Sequence, residues 1–273
     1  MAVFNEILRL ELATDPKLKN YRNLRWNRKP GPENQHFIAE GRYCVERLLQ
    51  SRHRVHSVLV TEGKAAEALI WTDGKTPVYS LPSEEMRKLV GFDFHRGVMA
   101  CGERPALNPC TTLDLGHQKQ ELAIAIIGVT ERENVGSIMR TSAGLGIHRI
   151  LLGPNTADPF ARRTIRVSMG TVFRLQLYDL NSPVSQLAEF TRNDRVRTIV
   201  STLADQATPL RDFRLDQHSG ILVIGSEADG VATEIQKAAT DRITIPMKLG
   251  TNSLNVSIAT AICLHELIHQ IPE

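Results

Sequence analysis

Apolar and polar positions alternate with strand and helix periods along the chain, most clearly in its last third. An apolar run at Ile221–Gly225 precedes a glycine-bounded acidic turn at Ser226–Gly230 and an amphipathic helix over about Thr233–Ala239. A second strand is predicted at Arg242–Met247, followed by a polar loop and a long helix from about Asn255. Ligands of open α/β sheets bind where loops leave the strand ends, so the pattern predicts a binding site here.

The first half of the chain predicts an amphipathic helix at residues 3–13 and then a small α/β domain at 35–105. This domain is predicted to have helices at His36–Gln50, Lys64–Trp71 and Ser83–Val90, and strands at Val55–Thr61, Pro77–Leu81 and Gly97–Cys101. Ser83 is predicted to cap its helix. No cluster of catalytic residue types occurs in this domain, which indicates binding rather than chemistry.

Residues 106–120 are rich in proline and polar residues, and they are predicted to link two domains. A βαβ unit is predicted beyond them, with a strand at Leu122–Gly128, a helix from Asn134 to about Gly144 and a strand at His148–Leu152. A further helix and strand are predicted at residues 183–190 and 195–201. The first strand-to-helix loop lacks GxGxxG, which argues against an ordinary dinucleotide or Rossmann-type methyltransferase site.

Length and composition are consistent with two ordinary domains, since the chain has 273 residues, of which 42% are apolar. The formal net charge is only +3, so any nucleic-acid binding must depend on a local basic patch. Four scattered cysteines without a CxxC pair indicate a reducing compartment. We expect a soluble cytoplasmic protein without a membrane span, since there is no apolar run of about 18 residues and no basic-then-apolar leader.

Two stretches offer basic side chains for RNA. The N-terminal extension, residues 1–34, places Arg22, Arg25 and Arg28 among aromatic residues, which suits phosphate contact and base stacking. The segment 161–173 adds Arg162, Arg163 and Arg166. A solvated arm is an equal alternative for the first stretch, and a polar helix face or an oligomer contact is an equal alternative for the second.

Two polar residues of the predicted Asn134 helix have simple structural interpretations when taken alone. Asn134 is a suitable helix N-cap, and Arg140 is a suitable solvated helix charge. The segments that follow in the chain strengthen a functional interpretation of both residues.

Three segments together resemble the motifs of the SpoU (TrmH) family of RNA ribose 2′-O-methyltransferases, in the SPOUT superfamily. They are NVGSIMR (residues 134–140), IGSEADGV (224–231) and IPMKLGTNSLNVSIATA (245–261). The likeness runs from about Glu121 to the C-terminus, and the three motifs occur in the family's order. Residues 35–105 less specifically resemble the ribosomal-protein-like α/β substrate-binding domain that many SpoU enzymes carry.

The resemblance implies a fold that periodicity could not show. We expect a parallel-sheet SPOUT domain at 121–273 with a deep trefoil knot, preceded by the small RNA-binding domain. It also implies S-adenosyl-L-methionine (AdoMet) as methyl donor, held near Gly225, Ile245, Met247 and Leu254, and a homodimer with sites at its interface.

By the same resemblance, the catalytic positions are Asn134, Arg140, Glu227, Ser253 and Asn255. Arg140 is the family's proposed base for the 2′-hydroxyl, although an arginine is almost always protonated, so a clamp on the neighbouring phosphate is an equal alternative. Glu227 is expected to fix Arg140 or its own loop. The other three are expected to orient substrate and cofactor.

Two other classes of function compete with this interpretation. His265, Glu266 and His269 spell HExxH, the zincin motif, but only four residues follow, so no downstream third ligand fits and we expect no metal site. A non-catalytic RNA-binding assembly factor on the same fold is the other alternative. Among RNA targets the domain order favours ribosomal RNA over tRNA by analogy.

Overall fold

A computed structural model describes residues 7–24, 35–115, 119–192, 195–204, 206–226 and 228–272 of the protein. The chain forms two compact units. The first unit contains the residues up to Ala106 together with Asp158–Phe173, and the second contains Leu107–Ala157 and the residues from Arg174 onward. The segment Asp158–Phe173, expected in the C-terminal domain, therefore belongs to the first compact unit.

The first unit is built on a five-stranded mixed sheet with the strand order β1-β4-β3-β5-β2. Its strands are β1 (Ile7–Arg9), β2 (His36–Glu40), β3 (Val55–Thr61), β4 (Val78–Leu81) and β5 (Val98–Glu103). Its helices are α1 (Arg42–Leu49), α2 (Ala65–Trp71), α3 (Ser83–Val90) and α5 (Arg162–Val167). The core includes Tyr21, whose hydroxyl lies 2.9 Å from the Ser57 carbonyl oxygen, to which it donates.

Most predicted elements of this unit are confirmed, with three corrections. Residues 36–40, predicted as the start of a helix, form β2, which pairs antiparallel with β5. The described part of the predicted helix at 3–13 contains a strand, Ile7–Arg9, paired parallel with β4. Pro82, not Ser83, is the N-cap of α3, and no side chain bonds to this cap. In the first two cases a pairing partner far along the chain outweighs local propensity.

An aromatic cluster and an ion pair hold Asp158–Phe173 within the first unit. The Phe37 ring centroid lies 5.2 Å from that of Phe160 and 5.4 Å from that of Phe173. Arg104 donates to both carboxylate oxygens of Asp158, at 2.7 and 2.9 Å. Such a bidentate pair fixes both distance and orientation.

The second unit is built on an eight-stranded sheet in which every paired strand is parallel, with the order β11-β13-β10-β12-β7-β8-β9-β6. Its strands are β6 (Asn108–Pro109), β7 (Leu122–Ile126), β8 (Arg149–Leu152), β9 (Gln176–Asp179), β10 (Val196–Ser201), β11 (Thr208–Pro209), β12 (Ser219–Ile224) and β13 (Asp241–Thr244). Its helices are α4 (Arg132–Gly144), α6 (Pro183–Thr191), α7 (Thr233–Ala238) and α8 (Val256–Ile268). The predicted linker contains β6, which pairs with β9.

The central strands are mostly apolar because a parallel sheet is covered on both faces. All five residues of β7 and all six of β12 are buried. Helix α4 packs against α8, and α6 packs against α7. Within the described ranges, no helix has the length and hydropathy needed to cross a bilayer.

All four cysteines are free and buried. Burial raises the pKa of the Cys44, Cys110 and Cys263 thiols to about 11. Since the thiolate is the reactive form, these side chains are unreactive packing groups at neutral pH.

The surroundings of His53 predict that the first unit loses stability in acid. Burial beside Phe160 and Phe173 lowers its pKa, and the neighbouring Arg52 charge lowers it further. A histidine with a lowered folded-state pKa stabilises the fold above its unfolded pKa of about 6.5, and this contribution is lost as the pH falls. We expect wild-type protein to lose more free energy of unfolding between pH 7.5 and 5.5 than His53→Phe, measured by urea denaturation.

The same change at the exposed His95 is the matched control, and it should keep the wild-type pH dependence. Equal pH dependence in the wild type and His53→Phe would contradict the assignment.

Candidate functional site

Three neighbouring strands of the second unit end at one edge of the sheet, and the loops that follow them enclose a cavity of about 450 Å³. The strands are β10, β12 and β13, and the first turns of α8 complete the wall. The apolar lining includes Ile224, Ile245, Met247, Leu254 and Val256, and the polar lining includes Ser201, Thr202, Asp229, Asn252 and Ser253. This volume and this mixture are typical of sites for small organic ligands.

All four residues predicted to bind the cofactor line this cavity. Gly225 follows β12, Ile245 and Met247 follow β13, and Leu254 precedes α8. Ser253, one of the predicted catalytic residues, lines it as well. The structure thus brings together residues that are up to 29 positions apart, from Gly225 to Leu254.

Gly225 is required by a close approach of two backbone segments. A Cβ atom at this position would lie 2.1 Å from the carbonyl carbon and oxygen of Gly230 and 2.4 Å from the Val231 nitrogen. The approach is fixed by paired backbone bonds, since Ser226 N donates to Gly230 O at 3.1 Å and Gly230 N donates to Ser226 O at 3.0 Å. Only glycine therefore fits at this position of the cavity wall.

Sequence reasoning missed one wall of the cavity, the loop after β10. Residues 201–204 line it, including the exposed Leu203. Their sequence, Ser-Thr-Leu-Ala, matches no motif. The available signal was positional, because β10 pairs in parallel with both β12 and β13 and its carboxyl end lies at the same edge.

Asn255 joins the cavity rim to α4. It is the N-cap of α8, and its Oδ1 accepts from Ser257 N at 2.9 Å and from Ser257 Oγ at 2.6 Å. Its Nδ2 donates to Asn134 Oδ1 at 3.0 Å. Because Asn255 is engaged at both ends of its amide, it positions the loop that carries Ser253 and Leu254.

Asn134 and Arg140 lie outside the cavity lining. Helix α4 begins at Arg132 after an N-cap at Glu131, so the prediction that Asn134 starts or caps this helix is wrong. Arg140 is exposed and forms no hydrogen bond or ion pair within the described part of the chain. Six residues of helix rotate Arg140 about 120° away from Asn134, so the helix does not place the two side chains on one face.

The remaining predicted positions separate into three cases. Glu227, Arg25 and Arg28 lie outside the described residues. Arg22 is committed to the N-terminal turn, where it donates to Thr14 O at 2.6 Å and to Asp15 O at 3.2 Å. Arg162 and Arg166 face a carboxylate of the first unit, Glu40, whereas Arg163 is exposed.

The HExxH residues do not assemble a zinc site in the described structure. The rings of His265 and His269 are 4.4 Å apart on exposed turns of α8. No group of three metal-ligating side chains occurs among the described residues. The zincin alternative therefore has no third ligand in this part of the chain.

A parallel sheet whose polar strand-end loops enclose a small-molecule cavity, beside a hydrogen-bonded asparagine pair, defines an α/β ligand-binding domain. The family model described as "SpoU rRNA Methylase family" matches residues 121–265, which is more than half of the chain. The protein therefore belongs to the SpoU rRNA methylase family, and the resemblance stated from its motifs is confirmed.

Relatives match over nearly the whole chain. An uncharacterized tRNA/rRNA methyltransferase of Mycobacterium tuberculosis is 31% identical over 92% of this chain and 88% of its own. A 23S rRNA (guanosine(2553)-2′-O)-methyltransferase of Bacillus subtilis is 24% identical over 94% of this chain and 98% of its own.

Solved structures match both units. A TrmH-family protein from Porphyromonas gingivalis has a TM-score of 0.77 and 30% identity, over 93% of this chain and 97% of its own. An AdoMet-bound rRNA methyltransferase from Sinorhizobium meliloti has a TM-score of 0.80 and 24% identity, over 95% of this chain and 97% of its own. This match supports the fold. The α/β fold with a parallel-sheet SpoU domain is thus confirmed, and AdoMet is the ligand that this structural relative contains.

Gly225→Ala should destabilise the second unit, because its Cβ cannot be accommodated without moving the backbone of Gly230. Overpacking of this kind costs about 1–3 kcal/mol. Gly144→Ala is the matched control, since nothing lies within 4 Å of a Cβ there and alanine favours the helix by about 1 kcal/mol. Chemical denaturation measures both, and equal stabilities would contradict the assigned contact.

Proposed function

We propose that the protein transfers a methyl group from AdoMet to a ribose 2′-hydroxyl of RNA, with ribosomal RNA as the favoured substrate. The observation that carries the proposal is the cavity, because it gathers all four expected cofactor residues and Ser253 at one sheet edge. A non-catalytic RNA-binding factor would not require this arrangement.

The cavity residues fit AdoMet in size and chemistry. The volume of about 450 Å³ lies in the usual range for such ligands, and the lining is apolar with a few polar groups. Gly225, Ile245, Met247 and Leu254 would hold the cofactor, since all four line the cavity. When bound, AdoMet supplies a methyl group activated by a sulfonium centre.

The protein's own contribution is mainly positional. The Asn255–Asn134 bond holds the loop of Ser253 and Leu254 against α4, so that the methyl acceptor can be aligned with the cavity. Ser253 is exposed at the rim, and its hydroxyl is available to orient the acceptor ribose. The exposed Arg140 supplies a guanidinium for the phosphate next to that ribose, and this role suits its environment better than that of a base.

Ribosomal RNA is favoured over tRNA because the Bacillus subtilis relative, matched over 94% of this chain, is named for 23S rRNA. That match includes the first unit, for which we propose an RNA-binding role. A tRNA substrate remains the alternative within the same chemistry.

Arg140→Ala should lower the rate of methyl transfer by about 10²-fold or more while AdoMet affinity is kept, because Arg140 lies outside the cavity lining. Arg140→Lys keeps the charge without the guanidinium fork, so its rate of methyl transfer should lie between those of the wild type and Arg140→Ala. The assay incubates radiolabelled AdoMet with unmodified ribosomal RNA or tRNA and maps the labelled ribose. Calorimetry measures AdoMet binding separately.

Arg192→Ala changes an exposed arginine elsewhere in the second unit and should leave transfer unchanged. Label in tRNA alone would overturn the substrate preference. RNA binding without any label would support the assembly-factor alternative, and failure to bind AdoMet would overturn the enzyme proposal.

We also propose the homodimer that the family resemblance implies. Helix α8 is apolar on most of its surface, yet Ile258 and Ile262, one turn apart, are exposed. These adjoining isoleucines are apolar surface that a dimer interface on this face of α8 would bury. In such a dimer, Arg140 of one subunit would contribute to a site at the interface with its partner.

Ile258→Glu should shift the protein from dimer to monomer in light scattering, because a buried carboxylate in an apolar contact is costly. Val184→Glu is the control, since Val184 is an exposed apolar residue on a different helix, α6. A wild-type monomer would contradict the dimer, and a dimer that survives Ile258→Glu would exclude this face of α8 as its interface.

The trefoil knot is proposed from the path of the chain. Strand β13 lies beyond β10 in the sheet order, farther from β12. After β13, the chain returns to place α8 against α4. On this path it passes the ends of β10 and β12. This route supports threading of the C-terminal segment, although knots are rare among proteins. A crystal structure in which residues 245–255 stay outside the preceding loops would contradict it.

A further inference from the structure

Three arginines of the first unit surround one buried carboxylate. The Glu40 side chain is 5% exposed, and its Oε2 accepts a hydrogen bond from Arg162 Nη1 at 2.6 Å. The other carboxylate oxygen, Oε1, lies 3.8 Å from Arg96 Nε and 3.9 Å from Arg166 Nη1. Within the described ranges, Glu40 is the one carboxylate within 4.0 Å of these guanidinium groups.

Arg162 is the structural member of this group. Besides its bond to Glu40, its guanidinium carbon lies 4.4 Å from the centre of the Phe92 ring. Its Nη2 also donates to Leu24 O at 3.4 Å. These contacts commit Arg162 to the unit's interior.

Arg96 and Arg166 have different surroundings. Their distances to Glu40 are too long for hydrogen bonds, so the donors of both groups are uncommitted within the described structure. Three positive charges and one negative charge leave a surplus of two positive charges. Gathering like charges is unfavourable unless an anion joins them.

The Arg96 side chain packs against the backbone of Gly41. Gly41 has φ +91°, and a Cβ atom there would lie 3.2 Å from Arg96 Nη1 and 3.3 Å from its Cδ. The arginine therefore lies directly over a bare glycine backbone beside Glu40. The positive φ of Gly41 favours glycine at this position.

We propose that Arg96 and Arg166, held side by side by Glu40, bind one phosphate of the RNA backbone. The proposal rests on the proposed function, because it makes the first unit a phosphate-positioning part of the same enzyme. Guanidinium groups suit this ligand through their fixed fork of donors and permanent charge. A backbone phosphate carries no base identity, so the site would set register rather than sequence preference.

The competing interpretation is that the arginines only attach the segment Asp158–Phe173 to β2. Arg162 already attaches the segment to β2, and the Arg104–Asp158 pair attaches it to the end of β5. That interpretation predicts lower stability in the variants without any change in anion binding.

The test compares Arg96→Gln and Arg166→Gln with Arg87→Gln, using a fluorescently labelled ribosomal RNA fragment at several salt concentrations. Arg87 is a matched control in the same unit, with a side chain 57% exposed against 54% for Arg96. Each cluster variant should lower the magnitude of the log K against log salt slope by about 0.7–0.9, the value for one lost phosphate contact. Arg87→Gln should keep the wild-type slope.

Two further measurements keep the outcome unambiguous. Calorimetry with tripolyphosphate should detect binding to wild type that both cluster variants lose, and AdoMet affinity should be unchanged in all three. RNA binding with wild-type slope in both cluster variants overturns the proposal, even if methyl transfer persists. If the wild type methylates no RNA but binds tripolyphosphate through Arg96 and Arg166, the anion site stands and the proposed function fails.

Discussion

Close packing of backbone at Gly225 is the constraint on which the cavity depends. The carbonyl of Gly230 and the nitrogen of Val231 occupy the space that any side chain at Gly225 would need. This packing turns the loop after β12 back on its own strand and leaves room for the loops after β10 and β13. The cavity wall after β12 therefore cannot accept a side chain in place of this glycine.

Sequence pattern predicts the second unit better than the first, for a physical reason. Strands such as β7 and β12 are buried on both faces, so they read as continuous apolar runs wherever the rest of the chain lies. The stretch His36–Glu40 is decided by its antiparallel partner β5, more than fifty residues away. Its apolar residues fit either a helix or a strand until that partner is known.

The site shows the same division between local and distant information. Motif resemblance found Gly225, Ile245, Met247, Leu254 and Ser253 because each occupies a fixed place in a recognisable segment. It could not find the β10 loop, which lines the cavity by sheet order alone. Nor could it predict that Arg162, read as an RNA contact, bonds to Glu40, 122 residues earlier in the chain.

The net charge of +3 over 273 residues gives no strong overall field, so the positions of individual charged residues matter more than their sum. A buried carboxylate costs free energy unless it is paired, and Arg162 supplies the hydrogen-bonded partner of Glu40. Arg96 and Arg166 add positive charge 3.8 and 3.9 Å from the other carboxylate oxygen, without hydrogen bonds to it. The donors that these two arginines do not use on Glu40 are the groups that the proposed phosphate site needs, and such a site would set the register of a polyanion.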